Sequence, residues 1–391
     1  MPLFKARIKE ALVHRHEQGL TRQLKVLENS NGPLLTCEGS SFINFSSNDY
    51  LGLANDPELV NAWQAGLSQY GAGSAASPLV TGFSSAHRNL EAQLCEWLGF
   101  ERAILFSSGF SANQALLFSL LEKDDLLLQD KLNHASLMEA GMLCPAAMKR
   151  FKHNDTQHLE SLLSRSPQSL VVTEGVFSMD GDQAPLEHIA SLTNEYDSWL
   201  VVDDAHGIGV LGDKGAGSCS VAQISPDILV VTFGKAFGLS GAAILCSSEV
   251  GDYLTQFARH HAYSTAMPPS QAVALSHACQ MIQTQEWRRQ KLMELGALYA
   301  EQMSGVKGFI DTHTPIKPFV IGETQAALSI AEELKRNQVW VTAIRPPTVP
   351  TGTARLRITL TANHTQKQVN QLTSSLLQAI ESSFELEKEA Q

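Results

Sequence analysis

At 391 residues the chain is long enough to bury a large core and to hold more than one domain. Apolar residues make up 43% and charged residues 18%, ordinary for a globular protein, and the formal net charge of -11 (29 basic against 40 acidic residues) argues against a nucleic-acid partner. The six cysteines (Cys37, Cys95, Cys144, Cys219, Cys246 and Cys279) show neither C-x-x-C nor zinc spacing and read as reduced thiols of a cytoplasmic protein. No apolar stretch reaches the ~18 residues of a membrane span.

Residues 1–20 form an amphipathic helix candidate with Lys5, Arg7, Lys9 and Arg15. Glu10 and Glu17 interrupt it and serines are absent, so it reads as an ordinary N-terminal helix and not as a transit peptide. Farther on, Leu90, Leu94, Trp97 and Leu98 fall at i, i+4, i+7 and i+8, one helix face, and the run Ala103-Ile104-Leu105-Phe106 follows. Next come Ser107, Ser108 and Gly109, then a helix pattern through Gln114: a strand end, small residues and a helix N-terminus, which suit a phosphate.

Leu126-Leu127-Leu128, Leu170-Val171-Val172-Thr173, Trp199-Leu200-Val201-Val202 and Ile228-Leu229-Val230-Val231 are further runs of strand length. They are apolar throughout, as in parallel strands covered by helices on both faces, so the expected class is α/β. The third run ends in Asp203-Asp204-Ala205-His206-Gly207, and the fourth leads into Thr232-Phe233-Gly234-Lys235-Ala236-Phe237-Gly238. An acid at one strand end and a glycine-flanked lysine after another are the two parts a pyridoxal phosphate site needs. The lysine forms a Schiff base, and the acid keeps the pyridine nitrogen protonated. Thr232 can add a hydroxyl to the phosphate. Gly207-Ile208-Gly209-Val210-Leu211-Gly212 matches a dinucleotide fingerprint, but Gly215 and Gly217 follow where a helix should open, so a loop is expected.

Another helix candidate begins near Glu249, and from about residue 290 the texture changes. A helix over residues 326–336 precedes an apolar stretch at 339–344. After a Pro-rich turn, residues 354–359 alternate apolar and polar, which predicts a strand with one face on a core and the other on solvent or a site. Arg355 and Arg357 share a face of that strand. Either fork could bind a carboxylate, and alternation does not choose between them. The expected division is a large domain over residues 46–288 and a smaller α+β domain over 289–391, joined in space by residues 1–45. Low complexity is confined to the acidic tail after Ser383.

These segments resemble the α-oxoamine synthases among the fold type I pyridoxal-phosphate enzymes. The resemblance runs from Phe42-Ile43-Asn44-Phe45-Ser46-Ser47-Asn48-Asp49-Tyr50 through Asn133-His134-Ala135-Ser136, Glu174-Gly175-Val176-Phe177-Ser178-Met179-Asp180, Asp203 to His206 and Thr232 to Gly238, as far as Arg357. It implies a mostly parallel sheet covered by helices, a smaller C-terminal domain, pyridoxal 5'-phosphate as cofactor, and a homodimer without nucleic-acid or membrane partners. By resemblance Lys235 carries the cofactor, Asp203 meets the ring nitrogen, His206 the ring hydroxyl, and His134 the ring face. Gly109, Phe110, Ser178 and Thr232 contact the cofactor, while Ser264 and Thr265 reach a phosphate across a dimer interface. Arg22, Asn48, His134, Thr348 and Arg357 contact substrate. Phe257-Ala258-Arg259-His260, the stretch Tyr263-Ser264-Thr265-Ala266-Met267-Pro268-Pro269 and the Pro-rich stretch at 344–350 are similar to the branch that condenses L-alanine with a pimeloyl thioester, whether the thiol belongs to coenzyme A or to acyl carrier protein. A sister enzyme using glycine and another acyl thioester, and a non-catalytic binding protein of the same fold, are the competing readings. One departure bears on the acyl pocket: the chain reads Gly71-Ala72-Gly73-Ser74-Ala75-Ala76-Ser77-Pro78 where the family has a richer glycine run followed by a basic or polar residue.

Overall fold

The computed structural model describes residues 2–17 and 20–389. Its strands are β1 Leu34–Cys37, β2 Ser40–Asn44, β3 Arg102–Phe106, β4 Leu126–Asp130, β5 Ala147–Phe151, β6 Leu170–Glu174, β7 Trp199–Asp203, β8 Ile228–Thr232, β9 Ala242–Cys246, β10 Ile316–Gly322, β11 Val339–Trp340, β12 Thr342–Ile344 and β13 Ala354–Thr359. The runs that are apolar throughout became strands buried on both faces: every residue of β6, β8 and β9 is buried. Seven strands form one sheet in the order β3-β9-β8-β7-β6-β4-β5. From β8 to β5 all neighbours pair in parallel, while β9 runs antiparallel to both β8 and β3. The mostly parallel α/β architecture expected from the sequence is therefore present.

Two strands of the large sheet escaped the sequence reading. β9 opens on two alanines, which weakens its apolar signature. β5 is an edge strand, Ala-Met-Lys-Arg-Phe, with only Phe151 buried. Such charged edge strands lack the apolar signature of their neighbours. Helix starts follow local chemistry: Asp56 caps the helix Pro57–Tyr70, with Pro57 in its first turn, and Ser108 caps Gly109–Leu120 by accepting from the Ser111 amide. The helix Pro2–Glu17 forms, but Leu3, Phe4, Ile8 and Leu12 on it stay exposed.

Two smaller sheets lie outside the large one. In the first, β1 pairs antiparallel with β2, and β2 pairs in parallel with β11, setting Ile43 beside Val339. In the second, β13 lies between β10 and β12. Alternation in β13 predicted one face on a core and the other on solvent or a site; all six residues are buried, which excludes solvent. Its polar side is covered by the loop after β6, where Arg355 ion-pairs with Asp180 and Arg357 Nε donates to the Ser178 carbonyl at 2.6 Å. The glycines at 207–217 form turns as expected, and the next helix is the four-residue Ser218–Val221. No described helix is long and apolar enough to cross a membrane, and the six cysteines are unpaired.

Leu245 of β9 is fully enclosed, opposite Ala103 of β3 and Leu229 of β8. Leu245→Ala is expected to destabilise the fold by ~2–5 kcal/mol through lost burial and an unfilled cavity. A lower urea midpoint with an unchanged slope checks this.

Candidate active site

Four parallel strands end on polar residues at one edge of the sheet: Asp130 of β4, Glu174 of β6, Asp203 of β7 and Thr232 of β8. Carboxyl ends of parallel strands are where open α/β sheets bind ligands. A cavity of about 290 Å³ lies there, with Glu174, Asp203 and Thr232 in its wall beside Asn48, His134, His206 and Lys235. The structure thus brings together residues from six separate stretches of the chain.

Lys235 follows β8 in a turn in which the Gly238 amide donates to the Lys235 carbonyl at 2.9 Å. Enclosure lowers its amine from 10.5 to about 8, against the opposing pull of Asp203 and Glu174. Asp203 is held from two sides: Asn113 Nδ2 donates to Oδ2 at 2.7 Å and the Ala205 amide to Oδ1 at 3.0 Å. The neighbouring Asp204 points away, accepting from the Ser218 amide at 2.8 Å and its hydroxyl at 2.5 Å. Burial raises Asp204 to about 7 despite those bonds. Asp203 lines the cavity and Asp204 does not, which separates the two adjacent acids.

Four further side chains, Asn113, Ser136, Tyr50 and Glu174, support this centre, and sequence reading gave them no individual role. Asn113 also donates to Ser136 Oγ at 2.9 Å, and Ser136 Oγ lies 2.8 Å from His134 Nδ1. The Ser136 amide donates to that same nitrogen at 3.2 Å, so Nδ1 is the acceptor and the proton sits on Nε2. Burial holds His134 below its usual range, as does Lys235, while Asp203 opposes them. Tyr50 Oη lies 2.6 Å from His206 Nδ1. Burial, then the charges of Lys235, Arg357 and His134, keep His206 well below its usual range and hence neutral, and burial raises Tyr50 to about 12. With the Tyr50 hydroxyl as donor, His206 Nε2 carries the ring proton. Glu174 sits opposite Asp203 in the β6–β7 register. Burial and then the Asp203 charge push it well above the usual carboxylate range, so it is held protonated.

At the other end of the cavity the helix Gly109–Leu120 presents its N-terminus. A Cβ on Gly109 would fall 2.5 Å from Thr232 Cγ2, so only glycine lets the helix start approach β8 this closely. Thr232 Oγ1 is buried without a partner. A helix N-terminus beside an orphaned hydroxyl fits a phosphate, and an enclosed amine facing a bound carboxylate fits the aldehyde and pyridine nitrogen of the same cofactor. The residues present therefore suit pyridoxal 5'-phosphate.

Arg355 and Arg357 now differ. Arg355 is committed to Asp180, whereas Arg357 donates to the Ser178 carbonyl, to Asn48 Oδ1 at 3.1 Å and to Thr359 Oγ1 at 3.2 Å. Arg357 meets only neutral acceptors there, and through Asn48 it touches the cavity wall. Ser178 does not line the cavity and meets Arg357 through its carbonyl. Ser264 and Thr265 do not line it either. They border a neighbouring hollow with His87 and Phe83, which meets the cavity wall at Ser107. Arg22 and Thr348 are exposed and outside the wall. Arg345 Nη2 reaches the Thr21 carbonyl at 3.4 Å, and the Thr348 amide donates to the Arg345 carbonyl at 3.1 Å, so these two stretches adjoin. The departing stretch at 74–78 braces the segment bearing Ser264 and Thr265: Ser74 Oγ donates to the Ala266 carbonyl at 2.7 Å, and the Ala266 amide to the Ala76 carbonyl at 2.9 Å.

The aminotransferase class I and II family matches residues 40–376. The chain is 88% identical to the 8-amino-7-oxononanoate synthase of Vibrio atlanticus, covering 100% of both chains. It is 66% identical to that of Vibrio cholerae, covering 97% of this chain and 98% of the relative. Among solved structures it resembles 8-amino-7-oxononanoate synthase from Francisella tularensis, with TM-score 0.78, 31% identity, and 90% and 99% of the two chains covered. A serine palmitoyltransferase from S. paucimobilis with bound PLP and myriocin superposes with TM-score 0.90 at 26% identity, covering 98% of each chain.

Two outcomes follow from this geometry. In cofactor-free protein, Lys235 is unreactive while protonated, so its labelling by an amine reagent should rise with a midpoint near pH 8, where surface lysines lag toward 10.5. Peptide mass spectrometry across a pH series reads this. Asp203→Asn should keep the fold yet lose most turnover, since hydrogen bonds to a charged group are worth ~1.5–3 kcal/mol. Asp204→Asn should instead lower the melting temperature, because Ser218 loses one of the two carboxylate oxygens that accept from its amide and hydroxyl. Crippled turnover in the Asp204 variant with a mild Asp203 variant would reverse the choice between the two acids.

Proposed function

Since the chain belongs to the 8-amino-7-oxononanoate synthases within the aminotransferase class I and II family, we propose the following roles for its residues in the reaction it catalyses. That reaction joins L-alanine to a pimeloyl thioester, releasing carbon dioxide and free thiol and giving 8-amino-7-oxononanoate in biotin biosynthesis. The cofactor is pyridoxal 5'-phosphate. When bound, it supplies an electron sink for the negative charge that develops on the alanine Cα.

Lys235 would hold the cofactor covalently. Asp203 would meet its ring nitrogen, His206 its ring hydroxyl through Nε2, and His134 its ring face. Gly109, Phe110 and Thr232 would hold the phosphate end, and Ser178 would be a further, indirect support. Arg357, with Asn48, would bind the amino-acid carboxylate, because the Arg357 fork meets only neutral acceptors and a carboxylate would supply the missing charge. The single observation that carries this reading is an enclosed amine lowered to about 8 in the same cavity wall as a doubly hydrogen-bonded Asp203.

Lys235 is the base. Once alanine has displaced it, an amine that titrates near 8 is free in about one copy in ten at pH 7, far more than an ordinary lysine, and takes the Cα proton. The deprotonated carbon attacks the thioester carbonyl, the thiol leaves, and the β-keto acid loses carbon dioxide. Lys235 then returns a proton to the same carbon. His134 and His206 stay neutral through these steps because burial disfavours their charge. They orient and donate without competing for the Cα proton.

Ser264 and Thr265 would complete the phosphate site of a second copy in a homodimer, and Arg22 and Thr348 would contact substrate at the mouth. The donor is pimeloyl-coenzyme A or pimeloyl-acyl carrier protein, since both present the same phosphopantetheine arm. A cytoplasmic location suits six unpaired cysteines. The division into 46–288 and 1–45 with 289–391 is the domain organisation we adopt. Carbon dioxide release with L-alanine and each thioester tests the reading; glycine should be a poor substitute, and Lys235→Ala should abolish turnover. Near-normal turnover by the Lys235 variant, or preference for glycine with a short acyl thioester, would overturn it. For the homodimer, sedimentation at falling concentration should show cofactor absorbance lost as copies separate, and a monomer that keeps its cofactor equally well would exclude the shared site.

A further inference from the structure

His153 lies outside the cavity wall and outside every role assigned so far, yet it joins two carboxylates. Its Nδ1 is 2.9 Å from Asp130 Oδ1 and its Nε2 is 2.7 Å from Asp182 Oδ2. Both ring nitrogens face acceptors, so both must donate, and the ring must be an imidazolium. Burial opposes that charge, but the hydrogen bonds and charges of Asp130 and Asp182 outweigh it and raise His153 to about 9. The ring also packs edge-on against Phe177 at 4.4 Å.

The two acids belong to different parts of the site. Asp130 ends β4, is fully buried, and also accepts from the Leu132 and Asn154 amides. Asp182 lies in the loop after β6, where it also accepts from Asn154 Nδ2 at 2.9 Å. That loop is gripped at its other end by β10, β13 and the residues before β10. Thr314 Oγ1 donates to the Gly181 carbonyl, Asp180 pairs with Arg355, and the Ser178 carbonyl takes Arg357 Nε. The large sheet thus holds one side of a five-residue loop through His153, while the loop holds the arginine that faces Asn48.

We propose that His153 is a positioning residue for the amino-acid substrate: its doubly bridged imidazolium fixes the 178–182 loop, and through the Ser178 carbonyl it sets the orientation of Arg357. The proposal rests on the reading of Arg357 as the carboxylate-binding residue. Without the cation, Asp130 and Asp182 face each other with no positive charge between them. The loop is then tied to β4 only through the uncharged Asn154 bridge, and the Ser178 carbonyl is a less firmly fixed acceptor for Arg357, while Lys235, Asp203 and the phosphate end are untouched.

The test is steady-state kinetics of the cofactor-loaded enzyme, with the pyridoxal phosphate dissociation constant measured alongside by absorbance. His153→Ala should raise KM for L-alanine about tenfold or more, the loss of one charge-assisted contact, with the cofactor dissociation constant and KM for the pimeloyl thioester within about twofold of the parent. His153→Gln, whose amide can still donate to Asp182, should recover part of the loss and serves where the alanine variant folds poorly. Asp182→Ala alone and combined with His153→Ala should be strongly non-additive, since both break one bridge. Arg357→Ala is the control. If it raises KM for L-alanine and both His153 variants leave it unchanged, the positioning role is wrong and the reading of Arg357 stands. If Arg357→Ala itself leaves that KM unchanged, the carboxylate assignment fails and the proposal falls with it. Equal losses in cofactor binding and in both KM values would mark His153 as a general fold support and overturn the proposal.

Discussion

Charge kept away from water at the carboxyl edge of the sheet is the constraint on which the rest of the site depends. Asp130, Glu174 and Asp203 end three adjacent parallel strands and are almost fully buried. An isolated buried carboxylate costs several kcal/mol, so each must be neutralised, hydrogen-bonded or paired. The chain uses a different solution for each. Asp130 has His153 and two amides, Asp203 has Asn113 and an amide, and Glu174 keeps its proton. The same enclosure that penalises the acids lowers the Lys235 amine. The base strength of the lysine and the fixed position of Asp203 thus have one cause.

The second half of the site comes from the small sheets, and one loop connects it to the first. Gly181 in that loop has φ +67°, and a Cβ there would meet the Ile316 carbonyl at 2.6 Å. Glycine is needed both for the turn and for the close approach of β10. Arg355, which by sequence competes with Arg357 for the substrate, is consumed in securing this loop through Asp180. One arginine of β13 is thus spent on an ion pair, while the other, two residues on, meets Asn48 at the cavity wall.

Much of this was legible in the sequence. Uninterrupted apolar runs gave the parallel strands, and polar residues at their ends marked the ligand edge, because both signals are local. Lys235 and Asp203 were readable for the same reason. Tyr50 was not, since its partner His206 is 156 residues away and nothing near Tyr50 marks it as polar-facing. Asn113 looks like one more residue of a helix first turn until β7 places Asp203 2.7 Å from it. The full burial of β13 has a similar origin. Alternation reports which residues are polar, and Arg355 and Arg357 are polar, but a loop from the other side of the molecule covers them.

The stretch at 74–78 shows how a departure in sequence acquires meaning from packing. Its small residues do not enter the cavity. Ala75 takes a positive φ of 58°, and Ser74 and Ala76 bond to Ala266 from both sides. Gly82, whose Cβ would lie 2.3 Å from the Ala76 carbonyl, closes the turn over it. His87 Nε2 contacts the Met267 carbonyl at 2.7 Å and holds the far end of the same segment. Ser264 and Thr265 are therefore carried on a braced support outside the cavity wall. The two hydroxyls are thus held in place by packing from both ends of their segment, beside a hollow that meets the cavity wall at Ser107.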